Sequence, residues 1–323
     1  MPTILITGGH SGIGLECSKQ LIAKPRVTLL LAGRDLDRME VAAQQLRAKG
    51  GEVKLLEMDV SSLTSVRTAA ARCRTMLDSG EIEELQAVLC NAGAQFMGPV
   101  SYSPDGYEMT FATNCLGHFL LIELLIDKVA QKGRVVYTAS GTHDPDTADG
   151  KVVGKAAEPD ALVLIDVGKG GDKPLSTGVR YTTSKLCDIL YVHEMDKRLR
   201  RANSSIVPIA FDPGSVAGTG LLRTHPKPVQ VLAKTSLMKW VMRRMGITMS
   251  SVEFSGAALA KLAVDPAYAT GSGKYFQAKD DRFTEQRSSI KSYDVAAALK
   301  LWTDSEALVH LRPDERSALL SAG

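Results

Sequence analysis

Short, nearly unbroken apolar runs alternate with amphipathic stretches from the first residues of this chain, and that alternation limits the possible folds more than any other feature. The runs 4–7, 27–32, 53–56, 87–90, 135–139 and 206–211 read as strands apolar on both faces, the pattern of parallel strands covered on each side by helices. Between them, 12–23, 35–49, 62–77, 106–130 and 181–201 carry helical periodicity. Regular βαβ alternation predicts an α/β protein with a doubly wound parallel sheet that binds ligands at the carboxyl ends of its strands. With no internal repeat or low-complexity linker, 1–323 is expected to form one domain. Two irregular segments, 141–179 and 221–249, each follow a strand and are expected to wall a substrate pocket, the second as a helical lid. A helix at 251–264, a short strand at 274–277 and a helix at 295–311 complete the reading.

Composition excludes several function classes. The net charge is only +3, from 39 Lys and Arg against 36 Asp and Glu, and predicts no nucleic-acid partner. Cys17, Cys73, Cys90, Cys115 and Cys187 are odd in number and show no paired spacing, which argues against a disulfide framework and against a metal site. The apolar stretch 119–126 is interrupted by Glu123 and is too short to cross a bilayer. Met1-Pro2-Thr3 runs directly into Ile4-Leu5-Ile6 without a basic, apolar leader, so a cytoplasmic location is expected.

Thr7-Gly8-Gly9-His10-Ser11-Gly12-Ile13-Gly14 follows the first strand and opens the first helix. Glycines in that context permit a tight turn and let backbone N–H groups approach a pyrophosphate at the positive end of the helix. Twenty residues beyond Gly14, at the end of the second strand, an acidic side chain would hold a ribose 2′-hydroxyl, whereas an arginine would accommodate a 2′-phosphate. The chain has Gly33-Arg34-Asp35 there, with Arg38 one turn on, which favours NADP(H) over NAD(H). The competing reading makes both arginines solvated helix-start residues and Asp35 the ribose ligand. Tyr181 and Lys185 are four apart, hence on one helix face, where an ammonium favours the phenolate and is expected to bring the phenol toward its working range. Tyr275 and Lys279 share the spacing but lack an upstream serine, and are set aside. Ser140, at the end of the fifth strand, could donate to an oxygen on which negative charge develops, or could simply cap a turn.

In order, the TGxxxGxG turn, Asp59-Val60, Asn91-Ala92-Gly93, Asn114, Ser140, Tyr181 to Lys185, and Pro213-Gly214 resemble the short-chain dehydrogenase/reductase family over 2–219. Asn114-Cys115-Leu116-Gly117-His118-Phe119 is similar to the branch holding retinol dehydrogenases, carbonyl reductases and light-dependent protochlorophyllide reductases. The resemblance implies a Rossmann-type fold and interconversion of a carbonyl and an alcohol by hydride transfer. Its catalytic set would be Asn114, Ser140, Tyr181 and Lys185, with Asn114 distorting a helix and holding a relay water. The cofactor would meet Gly8, His10, Ser11, Gly12, Ile13, Gly14, Arg34 and Arg38, with Asp59 and Val60 beside the adenine. Asn91, Ala92 and Gly93 would line the ribose, along with Tyr181 and Lys185. Pro213, Gly214, Ser215 and Val216 would pass the nicotinamide. The family often has threonine five residues after that proline; here Gly218 holds the place and Thr219 follows.

Two departures shape the substrate reading. The stretch between Ser140 and Tyr181 is about three times the family's usual spacing; similar insertions obstruct a dimerisation face, so a monomer is expected. The photoenzymes carry cysteine directly after the Pro-Gly pair and tend to have threonine at the serine position. Ser215 and Ser140 stand here and point to conventional carbonyl chemistry, with light-driven C=C reduction as the alternative. From 223 to 246 there are six Lys and Arg and no acid, interleaved with Met, Leu, Val and Trp. That composition suits a lid over a bulky apolar ketone or aldehyde, a membrane contact, or a packed helix pair. An alternative from another class is an NADP(H)-binding sensor without catalysis, and a third is a sugar-nucleotide epimerase.

Overall fold

Strands β1 (Thr3–Thr7), β2 (Thr28–Gly33), β3 (Glu52–Glu57), β4 (Leu85–Cys90), β5 (Val129–Thr138) and β6 (Val207–Asp212) run parallel in one sheet. The computed structural model describes residues 1–321 apart from 25, 172, 217–234, 236–239 and 241–243. Two short strands, β7 (Ser215–Val216) and β8 (Met249–Ser250), pair outside that sheet. β9 (Lys274–Lys279) adds in parallel beside β6, and β10 (Arg282–Gln286) closes the edge in antiparallel, giving the order β10-β9-β6-β5-β4-β1-β2-β3. The chain fills one side of β1 and then returns to fill the other. The order therefore reverses between β1 and β4, and the crevice beyond their carboxyl ends is where such sheets bind ligands.

Both faces of the sheet are covered. Helices α1 (Gly12–Ile22), α2 (Leu36–Arg47) and, late in the chain, α9 (Val252–Val264) pack an apolar core on one face around Ile6, Leu31 and Phe211. The opposite core joins α3 (Leu63–Asp78), α5 (Gly117–Leu125), α8 (Thr177–Arg201) and α10 (Val295–Leu308) around Leu120, Tyr191 and Trp302. All nine residues of α5 are buried, including the polar His118 and Glu123, and the other seven carry no polar side chain. The stretch Met109–Lys128 has the length and hydropathy of a membrane span, but 94% of its apolar window lies inside the protein. Such close burial needs Gly117, where an added Cβ would stand 1.9 Å from the Val60 carbonyl oxygen.

Several sequence expectations change. The single helix expected over 106–130 is broken: one α turn, α4 (Met109–Phe111), leads into a π-helical turn (Ala112–Leu116), then α5, then a 3₁₀ turn (Ile126–Lys128). A π turn inserts one extra residue and rotates the side chains around it, which no apolar period reveals. β5 begins at Val129 rather than 135, with Lys132 at φ 62° before the buried run. The segment 141–179 is not structureless; it holds a 3₁₀ turn (Gly141–His143) and two short helices, α6 (Ala148–Val153) and α7 (Ala161–Ile165). The β9–β10 hairpin was missed although its signal was present: Asp280 and Asp281, at φ 46° and 59°, form the two-residue turn that such hairpins favour.

The outward face of α8 is covered, but chiefly by α10 rather than by the insertion alone. Phe119, Tyr191 and Trp302 interlock with ring centroids 4.9 to 6.2 Å apart, and Tyr191 Oη lies 2.6 Å from Ser305 Oγ. The insertion contributes α7, which packs against α10.

Candidate active site

The glycine turn leaves β1 at its carboxyl end and enters α1. The Ser11 side chain, at the N-cap, makes no capping hydrogen bond, whereas Asp35 and Ser62 cap α2 and α3. The first N–H groups of α1 therefore have no side-chain partner at a point that faces a cavity, the arrangement that receives an anion. At Gly14 an added Cβ would lie 2.4 Å from the Gly8 carbonyl oxygen, so only glycine closes the turn. The cavity encloses about 820 Å³ and runs along the carboxyl edge of the sheet.

Every expected cofactor contact among the described residues lines this one cavity. Thr219 and most of the expected lid, 221–249, lie outside the described residues. At one end stand His10, Arg34, Arg38 and Asp59. Asp35 is there too, but its Oδ1 accepts the Arg38 N–H (3.0 Å) and caps α2. In the middle, Thr7 Oγ1 accepts the N–H groups of Asn91 (2.9 Å) and Ala92 (2.8 Å), drawing the end of β4 against β1. At the far end Phe96, Met97, Val152, Val153 and Ile247 form an apolar wall, four of the five from the loop after β4 and from the insertion.

Ser140, Tyr181 and Lys185 meet midway along the cavity wall. Ser140 follows β5 and caps the 3₁₀ turn, its Oγ accepting from Thr142 N (3.3 Å), and it lines the cavity beside Tyr181. Lys185 Nζ is 5.9 Å from the Tyr181 ring centre and donates to the Thr138 carbonyl oxygen (2.7 Å) and to Asp188 Oδ2 (2.8 Å). Burial holds Tyr181 above the ordinary tyrosine value; Lys185 and the Ser140 hydrogen bond pull it down without overcoming that burial. The expected lowering is thus present as a pull but not as the net result. Burial opposes the Lys185 ammonium, but Asp188 and Tyr181 more than offset it, and its pKa is raised.

Asn114 does not line the cavity. The π turn aims its amide at a neighbouring loop, where Oδ1 accepts from Ala94 N (2.9 Å) and Nδ2 donates to Ala94 O (3.1 Å) and Ser184 Oγ (3.0 Å). It braces the loop after β4 against the catalytic helix. Tyr275, the set-aside tyrosine, donates from β9 to Asp212 Oδ2 (2.9 Å) and serves the wall behind the site.

Sequence reasoning missed three supporting residues. His118 joins Thr7 Oγ1 (Nε2, 2.9 Å) to the Asn114 carbonyl oxygen (Nδ1, 3.2 Å). His143 Nδ1 donates to the Ser140 carbonyl oxygen (2.7 Å) while its Nε2 accepts from Ser289 N (3.0 Å). Asp188 holds Lys185. Only Asp188 had a readable signal, since three residues past Lys185 is the same helix face.

This fold and this wall of side chains define an oxidoreductase that binds a nicotinamide dinucleotide. Residues 2–148 match the family model described as short chain dehydrogenase. Protochlorophyllide reductase A, chloroplastic, from Oryza sativa subsp. japonica is 31% identical over 325 residues, covering 95% of this chain and 80% of that protein. Retinol dehydrogenase 13 from Homo sapiens is 29% identical over 315 residues, covering 96% and 85%. Among solved structures, a short-chain dehydrogenase/reductase from Serratia marcescens superposes with a TM-score of 0.62 at 17% identity, covering 86% of this chain and 96% of its own. The chain belongs to the short-chain dehydrogenase/reductase family.

Proposed function

We propose that this enzyme uses NADP(H) to interconvert a bulky, apolar ketone or aldehyde with its alcohol. The observation that carries the reading is the convergence of Ser140, Tyr181 and Lys185 on one cavity, between an uncapped helix N-terminus and an apolar wall. When bound, the nicotinamide supplies or accepts the hydride. Tyr181 Oη gives its proton to the substrate oxygen in reduction and receives it in oxidation. Ser140 donates to the same oxygen as charge develops there, and Lys185 holds the ribose and the polarity of Tyr181. Asn114 acts through the loop it braces, as a positioning residue. The NADP(H) preference is supported by Arg34 and Arg38 at the cavity rim and by Asp35, whose carboxylate is engaged in capping α2 instead of standing free for a ribose 2′-hydroxyl. An apolar substrate is supported by Phe96, Met97, Val152, Val153 and Ile247. The α10 cover over α8 supports a monomer.

NADPH consumption with a panel of aldehydes, ketones and quinones tests the reading directly. Tyr181→Phe should abolish turnover, by about 10²-fold or more, and leave NADPH binding intact. Turnover by the wild type only under illumination and only with a tetrapyrrole would favour the photochemical alternative, which the identity to protochlorophyllide reductase keeps in view. NADPH binding without any turnover would favour a sensor.

A further inference from the structure

Asp188 lies one helical turn beyond Lys185, is 1% exposed, and receives the Lys185 ammonium at 2.8 Å. Its other oxygen, Oδ1, has no hydrogen-bond partner among the described residues. A carboxylate that serves only to hold a fold is ordinarily surrounded by N–H donors, because a buried anion without them is costly. Here the groups facing it from each packed element are neutral: the Cys90 thiol at the end of β4, the Cys115 thiol on the π turn, the Tyr137 hydroxyl on β5, and Tyr191 on its own helix. Burial pushes all four upward, and the Asp188 charge adds to that push, so none of them supplies a counter-charge. Among the described residues, Lys185 is the one cation placed against it.

We propose that Asp188 is a positioning residue that anchors and neutralises the Lys185 ammonium, so that Tyr181 keeps its proton and the site serves carbonyl reduction at neutral pH. The inference rests on Tyr181 being the proton donor. Two of the three Lys185 N–H groups are committed, to Thr138 and Asp188, which leaves one for the cofactor ribose and fixes where it points. In reduction, where bound nicotinamide would supply the hydride for the new C–H bond, the Tyr181 O–H bond breaks and its proton completes the alcohol; solvent then reprotonates the phenolate. Oxidation needs the phenolate at the outset. An uncompensated ammonium beside a phenol would supply it near neutrality, whereas a paired one does not. Burial pushes the Asp188 carboxyl up, against the pull of Lys185 and of the Cys115 thiol.

The ionisation of Tyr181 can be followed without turnover, as the tyrosinate absorbance of the protein minus that of its Tyr181→Phe variant during an alkaline titration. In the wild type the midpoint should stand above that of free tyrosine; a midpoint below it would overturn the proposal, because the ammonium would then be acting unopposed. Asp188→Asn keeps the shape and removes the charge. The first proton lost by the Tyr181–Lys185 pair should then leave at lower pH, by about one unit or more, and the alkaline limit of reduction should move with it. A folded Asp188→Asn protein with an unmoved midpoint would also refute the assignment, as a purely structural role changes activity without moving the titration. If that variant fails to fold, Asp188→Ser, which also removes the charge, is read in the same titration, and an unmoved midpoint there refutes the assignment. Loss of turnover in Tyr181→Phe tests the underlying reading separately.

Discussion

His118 makes the nucleotide end of this site acid-sensitive, and the size of the effect follows from its surroundings. The Asn114 carbonyl oxygen can only accept, so Nδ1 carries the proton and Nε2 must accept from the Thr7 hydroxyl. That hydroxyl already receives N–H groups from Asn91 and Ala92, and its one proton can go to Nε2 or to the Leu89 carbonyl oxygen (3.3 Å). Protonating Nε2 would turn the Thr7 proton onto Leu89 and press a third N–H donor on the same oxygen, in a site that is 1% exposed. Burial, the largest influence, accordingly lowers the His118 pKa to about 4. The unfolded chain takes up the same proton near about 6.5, so stability is full above that pH and is lost as pH falls toward about 4. The shift of about 2.5 units corresponds to about 3 kcal/mol in total, of which about 2 kcal/mol disappears between pH 7 and pH 5. His118→Gln keeps a donor and an acceptor but cannot titrate. Urea unfolding of both proteins at pH 7 and pH 5 should show the wild type losing about 2 kcal/mol more than the variant, while His143 and His193, also lowered chiefly by burial, contribute equally to both. Nicotinamide dinucleotide affinity should weaken in the wild type over the same interval, since Thr7 holds Asn91 and Ala92 in place. Equal losses in the two proteins would refute the reasoning.

Other outcomes follow from single contacts. On the proposed NADP(H) preference, Arg34→Gln should narrow the ratio of NADPH to NADH efficiency about 10-fold or more; an unchanged ratio would refute a role for Arg34 in that preference. Gly14→Ala drives a Cβ against the Gly8 carbonyl oxygen, and calorimetric titration should show cofactor binding lost before the unfolding midpoint moves far. Trp302→Ala should cost about 3–5 kcal/mol and uncover α8, with a wild type that elutes as a monomer and a variant that self-associates; a wild-type dimer would remove the assigned role of α10.

What could be read without coordinates was whatever depends on local spacing. Apolar runs mark strands because a strand buried on both faces has no polar option. Tyr181 and Lys185 share a face because a helix repeats every 3.6 residues. The glycine turn is legible because its backbone admits no side chain at Gly14. Boundaries and irregular turns were not legible in that way. The break around Asn114 arises because the π turn is fixed by Ala94 and Ser184, residues 20 and 70 positions away. The same holds for the substrate wall, where the insertion and the loop after β4 meet only in space.

The sequence by itself determined the doubly wound class, through its apolar periodicity, and the family, through the ordered motifs that resemble it. The side chains expected to carry chemistry came with that resemblance, except Tyr181 and Lys185, whose shared helix face follows from spacing. Only the tertiary structure decided the state of those side chains. Burial raised Tyr181, Asp188 answered the Lys185 charge, and Asp35 was taken up by a helix cap. A residue's proton affinity depends on the dielectric and the charges around it, and those are assembled from distant parts of the chain.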